Sequence, residues 1–304
     1  MLQTLEIQAG KVVPSSSEAA PVLVVLNPDA AEKRYLVETL GVDEHTLNSA
    51  LDPDEVSRLE FEPEHLAVVF KRPKTYRAED DLVFKVLSTG LFLFKERLVV
   101  VLSDDVPVFE GKPISSTAGP ADLMLRVLSS TIAHFLGHLR TITMISDQVE
   151  AKINRSMENK HLLNLFTLEK SLVYYLNALN ANAVVIEKLR NNAPRAGFTR
   201  EQQELLEDLA IENQQCYRQA EIYSNILSSL MDARASIVSN NLNQLIKTLT
   251  IITIGIMLPT LVVSAFSMNV TIPLQRHPAA FWLIMLFALI SAVGVGTVWR
   301  WKKW

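Results

Sequence analysis

The sequence predicts an α+β cytoplasmic domain, then long helices, then a C-terminal hairpin of two transmembrane helices. Three observations support this fold class. Residues 248–275 form a run of 28 without a charged side chain, and residues 278–299 form a second uncharged run. Strand-like segments are confined to about the first 115 residues, whereas apolar residues recur every three or four positions from about residue 120 onward. Strands followed by long helices are typical of α+β layering.

The first part of the chain, residues 1–118, is predicted to be the α/β domain. Strands are expected where β-branched and apolar residues alternate or cluster, at 2–7, 22–26, 65–71, 82–87, 90–95 and 97–102. The last two are expected to form a hairpin that turns at Lys95–Glu96. Helices are expected at 29–40, with Gly41 as the stop signal, and at 42–49 and 54–58.

Residues 119–244 are predicted to form a stalk of long helices. Apolar spacing indicates helices over 122–154 and 162–189, after which Pro194 and Gly197 break the pattern. Thr199, with Gln202 three residues later, matches a capping box that starts a new helix. No proline or glycine follows until Gly255, so one helix is expected to continue from the stalk into the first uncharged run.

The last part, residues 245–304, is predicted to cross a membrane at about 247–267 and 279–299. About 20 apolar residues in a helix span a bilayer. A buried helix of a soluble protein is the alternative, and the second run argues against it. Basic residues and tryptophans favour the cytoplasmic interface, and they end the chain at Trp299, Arg300, Trp301, Lys302, Lys303 and Trp304. We therefore expect an inner (plasma) membrane protein with both termini in the cytoplasm. Lys247, just before the first span, is consistent with this orientation, whereas Arg276, in the link between the spans, is not.

Composition argues against several other functions. The formal net charge is −4, so no nucleic-acid partner is expected. Cys216 is the single cysteine, so no disulfide framework exists within one chain. The sequence has no phosphate-binding glycine loop and no cluster of histidine and cysteine, so neither an enzyme site nor a resident cofactor is expected.

Uncharged polar side chains recur along one face of the first span. Counting from Asn243 in steps of three and four gives Ile246, Thr250, Thr253, Met257, Thr260 and Ser264. Steps that average 3.5 place these seven residues, the polar stripe, on one face of a helix. Such a face usually meets another helix or a water-filled lumen. The stripe predicts either helix packing through small hydroxyl residues or a pore, lined by symmetric copies, for a cation such as Mg²⁺ that retains its water.

The end of the first span resembles the CorA family of magnesium/cobalt transporters. That family ends its first span with Tyr/Phe-Gly-Met-Asn, and this chain has Phe266-Ser267-Met268-Asn269. Further residues match the family without gaps in the segment that leads into and through the first span, at 230–233, 239–240, Asn243, 247–250 and 259–260. The resemblance in sequence covers about residues 156–304. Over residues 1–115 it is limited to the general architecture.

The resemblance implies a homopentameric funnel with a central pore for a divalent cation, Mg²⁺ first and Co²⁺ or Zn²⁺ next. It implies that Ser267, Met268 and Asn269 form the outer mouth, where the amide of Asn269 contacts the hydrated ion. It also implies a hydrophobic constriction at Leu249, between Asn243 and Met257. Asp208 matches one carboxylate of a regulatory Mg²⁺ site between subunits, and its partner aspartate is not located in the sequence.

Two departures from the family pattern leave other functions open. Ser267 replaces a glycine, which tolerates a positive φ, so the turn that presents Asn269 is expected to differ. The link 270–277 has no acidic residue, and Arg276 would repel cations. His277 is a possible Zn²⁺ ligand, as expected for the related ZntB branch, with or without proton coupling. A membrane-anchored helical scaffold or sensor without a pore is the third hypothesis.

Overall fold

The chain forms two structural units, Met1–Met231 and Asp232–Trp304. The computed structural model describes residues 1–8, 11–17, 20–77, 81–106, 109, 118–155, 159–270 and 277–301. The unit boundary falls inside one long helix, which contributes to both units.

Within these described residues, seven strands form one mixed sheet in the first unit. Their bounds are Leu2–Gln8 (β1), Lys11–Pro14 (β2), Val22–Leu26 (β3), Arg58–Phe61 (β4), His65–Pro73 (β5), Val86–Phe94 (β6) and Leu98–Leu102 (β7). The spatial order is β2-β1-β3-β7-β6-β5-β4. Only β3 and β7 pair in parallel, with Val22 opposite Leu98, and the other neighbours are antiparallel. The predicted turn at Lys95–Glu96 is confirmed, because Leu93 pairs with Leu98 and the Phe94 amide donates to the Arg97 carbonyl at 2.8 Å.

Helices cover both faces of the sheet. Alternate strand residues such as Val68 and Phe70 pack with the long helices on one face, while Ala67 and Phe92 join a smaller core on the other. The smaller core is covered by Ala30–Arg34 (α1), which continues as a π-helical turn over Tyr35–Thr39, and by Glu44–Leu51 (α2). The predicted stop at Gly41 is confirmed by its φ of 70°.

Three details of the predicted α/β domain are wrong or missing. Residues 54–58 are not a helix, because β4 begins at Arg58 and pairs with β5. The strands expected at 82–87 and 90–95 are one strand, β6, which starts after the left-handed backbone of Asp81 and Leu82. The edge strand β2 was not predicted.

Four long helices complete the described chain, at Pro120–Arg155 (α3), Asn159–Asn191 (α4), Arg200–Phe266 (α5) and Ala280–Trp301 (α6). The predicted capping box starts α5. The backbone N–H of Gln202 donates to Thr199 Oγ1 at 3.3 Å, and the backbone N–H of Thr199 donates to the side-chain Oε1 of Gln202 at 3.0 Å. The predicted single helix across the stalk and the first uncharged run is also confirmed.

A polar pair is buried where α3, α4 and the first part of α5 meet. His138 is 8% exposed, and its Nδ1 lies 2.5 Å from the hydroxyl of the fully buried Tyr175. Burial, with a smaller effect of His134, lowers the pKa of His138 to about 4. Burial likewise raises the pKa of Tyr175 and raises that of the Cys216 thiol to about 12. All these groups are therefore neutral at neutral pH.

Candidate functional site

The apolar parts of α5 and α6 are almost entirely unburied in one subunit. Both helices are long and apolar enough to cross a membrane, and their most apolar windows are 0% and 6% buried, respectively. A core helix of a soluble protein would be mostly buried. The two helices therefore need an apolar environment from outside the subunit.

The polar stripe lies on the face of α5 that points away from α6. Partly covered positions of α5 recur at Ile251, Gly255, Val262 and Phe266, and Ile251 lines a groove shared with α6. At about 100° per residue, the centre of the stripe is about 180° around the helix from the centre of these positions. All seven stripe residues are exposed: Asn243, Ile246, Thr250, Thr253, Met257, Thr260 and Ser264. Packing against α6 of the same subunit therefore does not account for the stripe.

The threonine hydroxyls of the stripe donate back to their own helix. Thr250 Oγ1 donates to the Ile246 carbonyl at 2.8 Å, and Thr253 Oγ1 donates to the Leu249 carbonyl at 2.8 Å. Thr260 Oγ1 donates to the Ile256 carbonyl at 2.7 Å. Each hydroxyl has one proton and two lone pairs, so its free capacity is that of an acceptor. Acceptor oxygens suit the water molecules around a metal cation, because those waters present their hydrogens outward.

Two apolar residues of α5 lie beside or behind the stripe, not within it. Leu249, at its edge, is 65% exposed and is the residue expected at a hydrophobic constriction. Pro259 lies inside α5, and a proline has no amide hydrogen to donate to the carbonyl four residues earlier. The Gly255 carbonyl therefore has no helical donor from position 259.

The helix ends just before the predicted outer mouth. Phe266 is the last residue of α5, and Ser267 follows in a turn in which its amide and its Oγ both donate to the Ser264 carbonyl, at 3.1 and 3.0 Å. Met268 and Asn269 are exposed. Among the described residues, positive φ angles occur at Asn27, Asp81, Leu82 and two glycines, not at Ser267. The serine thus fits this turn without left-handed backbone.

Asp208 lies on the part of α5 that belongs to the first unit. Its side chain is exposed, and nowhere in the described chain do three or more His, Cys, Asp or Glu residues converge to hold a metal ion. A regulatory site at Asp208 would need ligands from another subunit, and the regulatory role remains a prediction.

The structure describes only part of the link between the spans. Residues 271–276, including Arg276, and the C-terminal Lys302, Lys303 and Trp304 lie outside the described residues. His277 uses Nδ1 to accept from the Ala279 amide at 3.2 Å, just before α6 begins. Only Nε2 of this ring is left for a metal.

Sequence reasoning missed a set of exposed apolar residues on α5 that precede the first uncharged run. They recur at helical spacing at Ile222, Ile226 and Ile237, each 47–56% exposed, and Leu245 is 68% exposed. The i, i+4 spacing of the isoleucines was a readable signal. Single exposed apolar residues are ordinary, but a row such as Ile222, Ile226 and Ile237, which lie within about 60° of one another around α5, indicates an interaction surface.

Comparison with known proteins assigns the family. A family model described as "CorA-like Mg2+ transporter protein" matches residues 23–300. The chain belongs to this family. The resemblance found at the end of the first span is thereby confirmed at the level of the family, while the role of the Ser-Met-Asn variant remains a prediction.

Individual proteins match over nearly the whole chain. The cobalt/magnesium transport protein CorA of Methanocaldococcus jannaschii is 25% identical over 290 residues, covering 91% of this chain and 89% of that protein. The complete structure of the CorA magnesium transporter from that organism superposes with a TM-score of 0.83 at 21% identity, covering 99% and 97% of the two chains. The full-length CmaX protein gives a TM-score of 0.74 at 16% identity, covering 100% and 98%. These structures confirm the predicted fold class.

Proposed function

We propose that this chain is a subunit of a CorA-type channel that conducts divalent cations across the inner (plasma) membrane. Mg²⁺ is the first candidate ion, because the matched family model and the M. jannaschii relative both carry magnesium in their names. The observation that carries the proposal is the polar stripe, which is exposed, faces away from α6 and offers acceptor oxygens. In this account the stripes of several copies surround one axis.

The proposed assembly is a homopentamer. The row of exposed apolar residues on the cytoplasmic part of α5, such as Ile222 and Ile226, supports contacts between copies. The proposed parts of each subunit are an α/β domain over 1–118, a helical stalk over 119–244 and a membrane hairpin over 245–304, with both termini in the cytoplasm. The lipid bilayer covers the remaining apolar faces.

Each part of the proposed pore has a distinct physical task. Ser267, Met268 and Asn269 form the outer mouth, where the Asn269 amide oxygen accepts from the waters of the arriving ion. The stripe then carries the hydrated ion inward. Leu249 forms a constriction that closes by dewetting, and Asp208 contributes a carboxylate to a regulatory Mg²⁺ site between copies. Transport follows the membrane potential, worth about 2.3 kcal/mol per charge per 100 mV, so it needs no resident cofactor or covalent step.

Ion flux into liposomes that contain the purified protein tests the proposal. Mg²⁺ uptake that is lost in Asn269→Ala, with an intact oligomer, is the expected result. Uptake of Zn²⁺ without Mg²⁺ would instead indicate a ZntB-type transporter, and His277 would become the first residue to replace. Absence of flux for Mg²⁺, Co²⁺ and Zn²⁺ from intact oligomers would refute the channel and leave a membrane-anchored scaffold.

A further inference from the structure

Helix α4 has a second apolar face that its own subunit leaves uncovered. One face is fully buried in the core and includes Leu165, Leu172, Leu179 and Ile186. The roughly opposite face carries the α4 row, five apolar residues that are each 49–65% exposed: Leu163, Phe166, Val173, Tyr174 and Val184. At about 100° per residue, they lie within about 100° of one another around the helix. A helix that is apolar on both faces is normally buried on both, so the α4 row requires a partner.

A comparable row runs along α5 within the same unit. The α5 row consists of three isoleucines that are 56–66% exposed and lie within about 60° of one another: Ile211, Ile222 and Ile226. Helices α4 and α5 are antiparallel neighbours, and the Asn213 side chain donates to the Leu179 carbonyl at 3.0 Å. Counting away from this contact in opposite directions along the two helices places Phe166 level with Ile226. The two rows therefore occupy the same heights.

The α4 row is basic. The arc of α4 that holds the row also holds Lys170 and Lys188 and no carboxylate, because Glu169 and Glu187 lie about 40° beyond its edge. Both lysines are exposed, and neither forms an ion pair with another of the residues that the structure describes. Lys170 Nζ lies 5.9 Å from the centre of the Tyr174 ring, within the row itself.

The α5 row is acidic. Its arc holds Glu204 and Asp208 and neither a lysine nor an arginine. Arg200, which pairs with Glu204 at 3.2 Å, and Arg218 border the arc, but three further carboxylates border it as well: Glu201, Glu207 and Glu212. By the same count along the helices, Glu204 is level with Lys188.

These charges decide which surfaces can meet. Two copies joined through their α4 rows would bring lysines together, and two copies joined through their α5 rows would bring carboxylates together. Joining unlike rows places charges of opposite sign in contact and covers both sets of apolar side chains. Such a contact is heterologous, because each copy offers one row to one neighbour and the other row to the next, and contacts of this kind can close a ring.

We propose that the α4 row of one copy packs against the α5 row of the next copy, with Lys188 facing Glu204 and Phe166 facing Ile226. This contact rests on the homo-oligomer proposed above and names the surface that each subunit offers to its neighbour. The helices run along the axis of the proposed ring. Rotation from one copy to the next therefore keeps each residue at its own height and brings these level residues together.

Cysteine cross-linking in membranes that contain the full-length protein tests the contact. Under copper phenanthroline oxidation, the double variant Lys188→Cys/Glu204→Cys should give a ladder of bands up to the pentamer on a non-reducing gel. Wild type is the background control, because its single cysteine, Cys216, is buried. Arg190→Cys/Glu204→Cys is the matched control, since Arg190 is exposed but lies about 160° around α4 from Lys188, and it should give no ladder.

The two single variants separate this contact from a symmetric one. Lys188→Cys alone and Glu204→Cys alone should each remain monomeric on the gel. A dimer band from Lys188→Cys alone would show that α4 meets α4 and would overturn the proposal. A double variant that gives no ladder, although native mass spectrometry finds its oligomer intact, would overturn it as well.

A second comparison tests the apolar part of the contact. Phe166 and Met144 are almost equally exposed, at 55% and 56%, but Met144 lies on α3 and belongs to neither row. Phe166→Glu should raise the protein concentration needed for half-assembly in detergent at least about tenfold, whereas Met144→Glu should leave it unchanged. Equal effects of the two changes would contradict the assigned surface.

The outcomes also separate this contact from the proposed channel. Normal Mg²⁺ uptake without a ladder refutes the contact alone, and a complete ladder without uptake of any ion refutes the channel alone. A wild-type protein that is monomeric in the membrane would refute the proposed oligomer and this contact together.

Discussion

The side chain of Asn182 on α4 forms hydrogen bonds with both backbone groups of Lys71 on β5. The Lys71 amide donates to Oδ1 at 2.8 Å, and Nδ2 donates to the Lys71 carbonyl at 2.8 Å. The neighbouring strand β4 begins at Arg58, which lies opposite Val69, so β4 does not extend far enough to pair with Lys71. Asn182, which is fully buried, thus takes the place of one residue of a missing strand and ties α4 to the sheet.

Replacing Asn182 with alanine should lower the free energy of unfolding by about 2–6 kcal/mol. The change leaves one amide and one carbonyl buried without a partner, and each costs about 1–3 kcal/mol. Chemical denaturation of the solubilised protein measures the loss. Asn180→Ala is the control, because Asn180 is exposed on the same helix and should cost under about 0.5 kcal/mol. Similar losses in the two variants would contradict the assigned role of the amide.

The stripe is tested by two threonines that make the same local hydrogen bond. Thr260 lies on the stripe, whereas Thr248, whose Oγ1 donates to the Gln244 carbonyl at 2.9 Å, lies about 160° around α5 from the centre of the stripe. Thr260→Leu should reduce Mg²⁺ flux in liposomes at least about tenfold, equivalent to about 1.4 kcal/mol, without dissociating the oligomer. Thr248→Leu should conduct normally. Wild-type rates in Thr260→Leu would show that this side chain does not face the ion.

His138 should make the protein less stable in mild acid. Its pKa is lowered in the folded state, to about 4 from an ordinary 6.5, because the ring is buried. The unfolded chain therefore takes up a proton below pH 6.5 that the folded chain does not accept until about pH 4. Stability is lost as the pH falls through this window, by about 2 kcal/mol between pH 7 and pH 5. His134, whose pKa is lowered by burial and by Arg72, acts in the same direction.

The variant His138→Gln isolates this effect. Glutamine cannot take up the proton, yet it retains a polar group for the Tyr175 hydroxyl. Denaturation midpoints at pH 7 and pH 5 should therefore lie closer together in the variant than in the wild type. An unchanged difference would assign the acid sensitivity to other groups.

Gly90 of β6 leaves room for Ala50 of α2 to pack against the sheet. A Cβ added there would lie 2.6 Å from Ala50 Cβ and 2.9 Å from the Phe92 ring. Gly90→Ala should therefore cost about 1–3 kcal/mol through overpacking, as measured by thermal unfolding. The second change Ala50→Gly should restore part of the loss by removing the facing atom. Gly137→Ala on α3, where an added Cβ meets nothing within 4 Å, should be neutral or stabilising by up to about 1 kcal/mol.

Sequence patterns predicted the fold where the local signal is strong. The strand Val22–Leu26 has five consecutive apolar residues and was placed with both ends correct. Helix α5 was predicted as one element because no proline or glycine occurs between Thr199 and Gly255. The edge strands β2 and β4 are half-exposed and carry Lys11, Arg58 and Glu60, so they lack a strong strand pattern. The contact between Asn182 and Lys71 spans 111 positions, and no local pattern encodes it.

The candidate site was likewise predicted only in part from the sequence. Spacing alone placed the seven residues of the stripe on one face of α5. It did not show that α6 lies on the other side of that helix, because both sides contain isoleucine and leucine. The groove lined by Ile251 and Gly294 was also missed, since it exists only where two helices that are distant in sequence lie side by side.

The side chains of the polar stripe have a consequence for how the protein responds to its surroundings. Amide, hydroxyl, thioether and hydrocarbon groups neither gain nor lose a proton between mild acid and mild alkali. In the proposed pore, a lining of these groups keeps the same dipoles when the surrounding solution acidifies. Any acid sensitivity of ion flow would then arise from groups elsewhere in the molecule, such as His138, packed between the helices of the first unit.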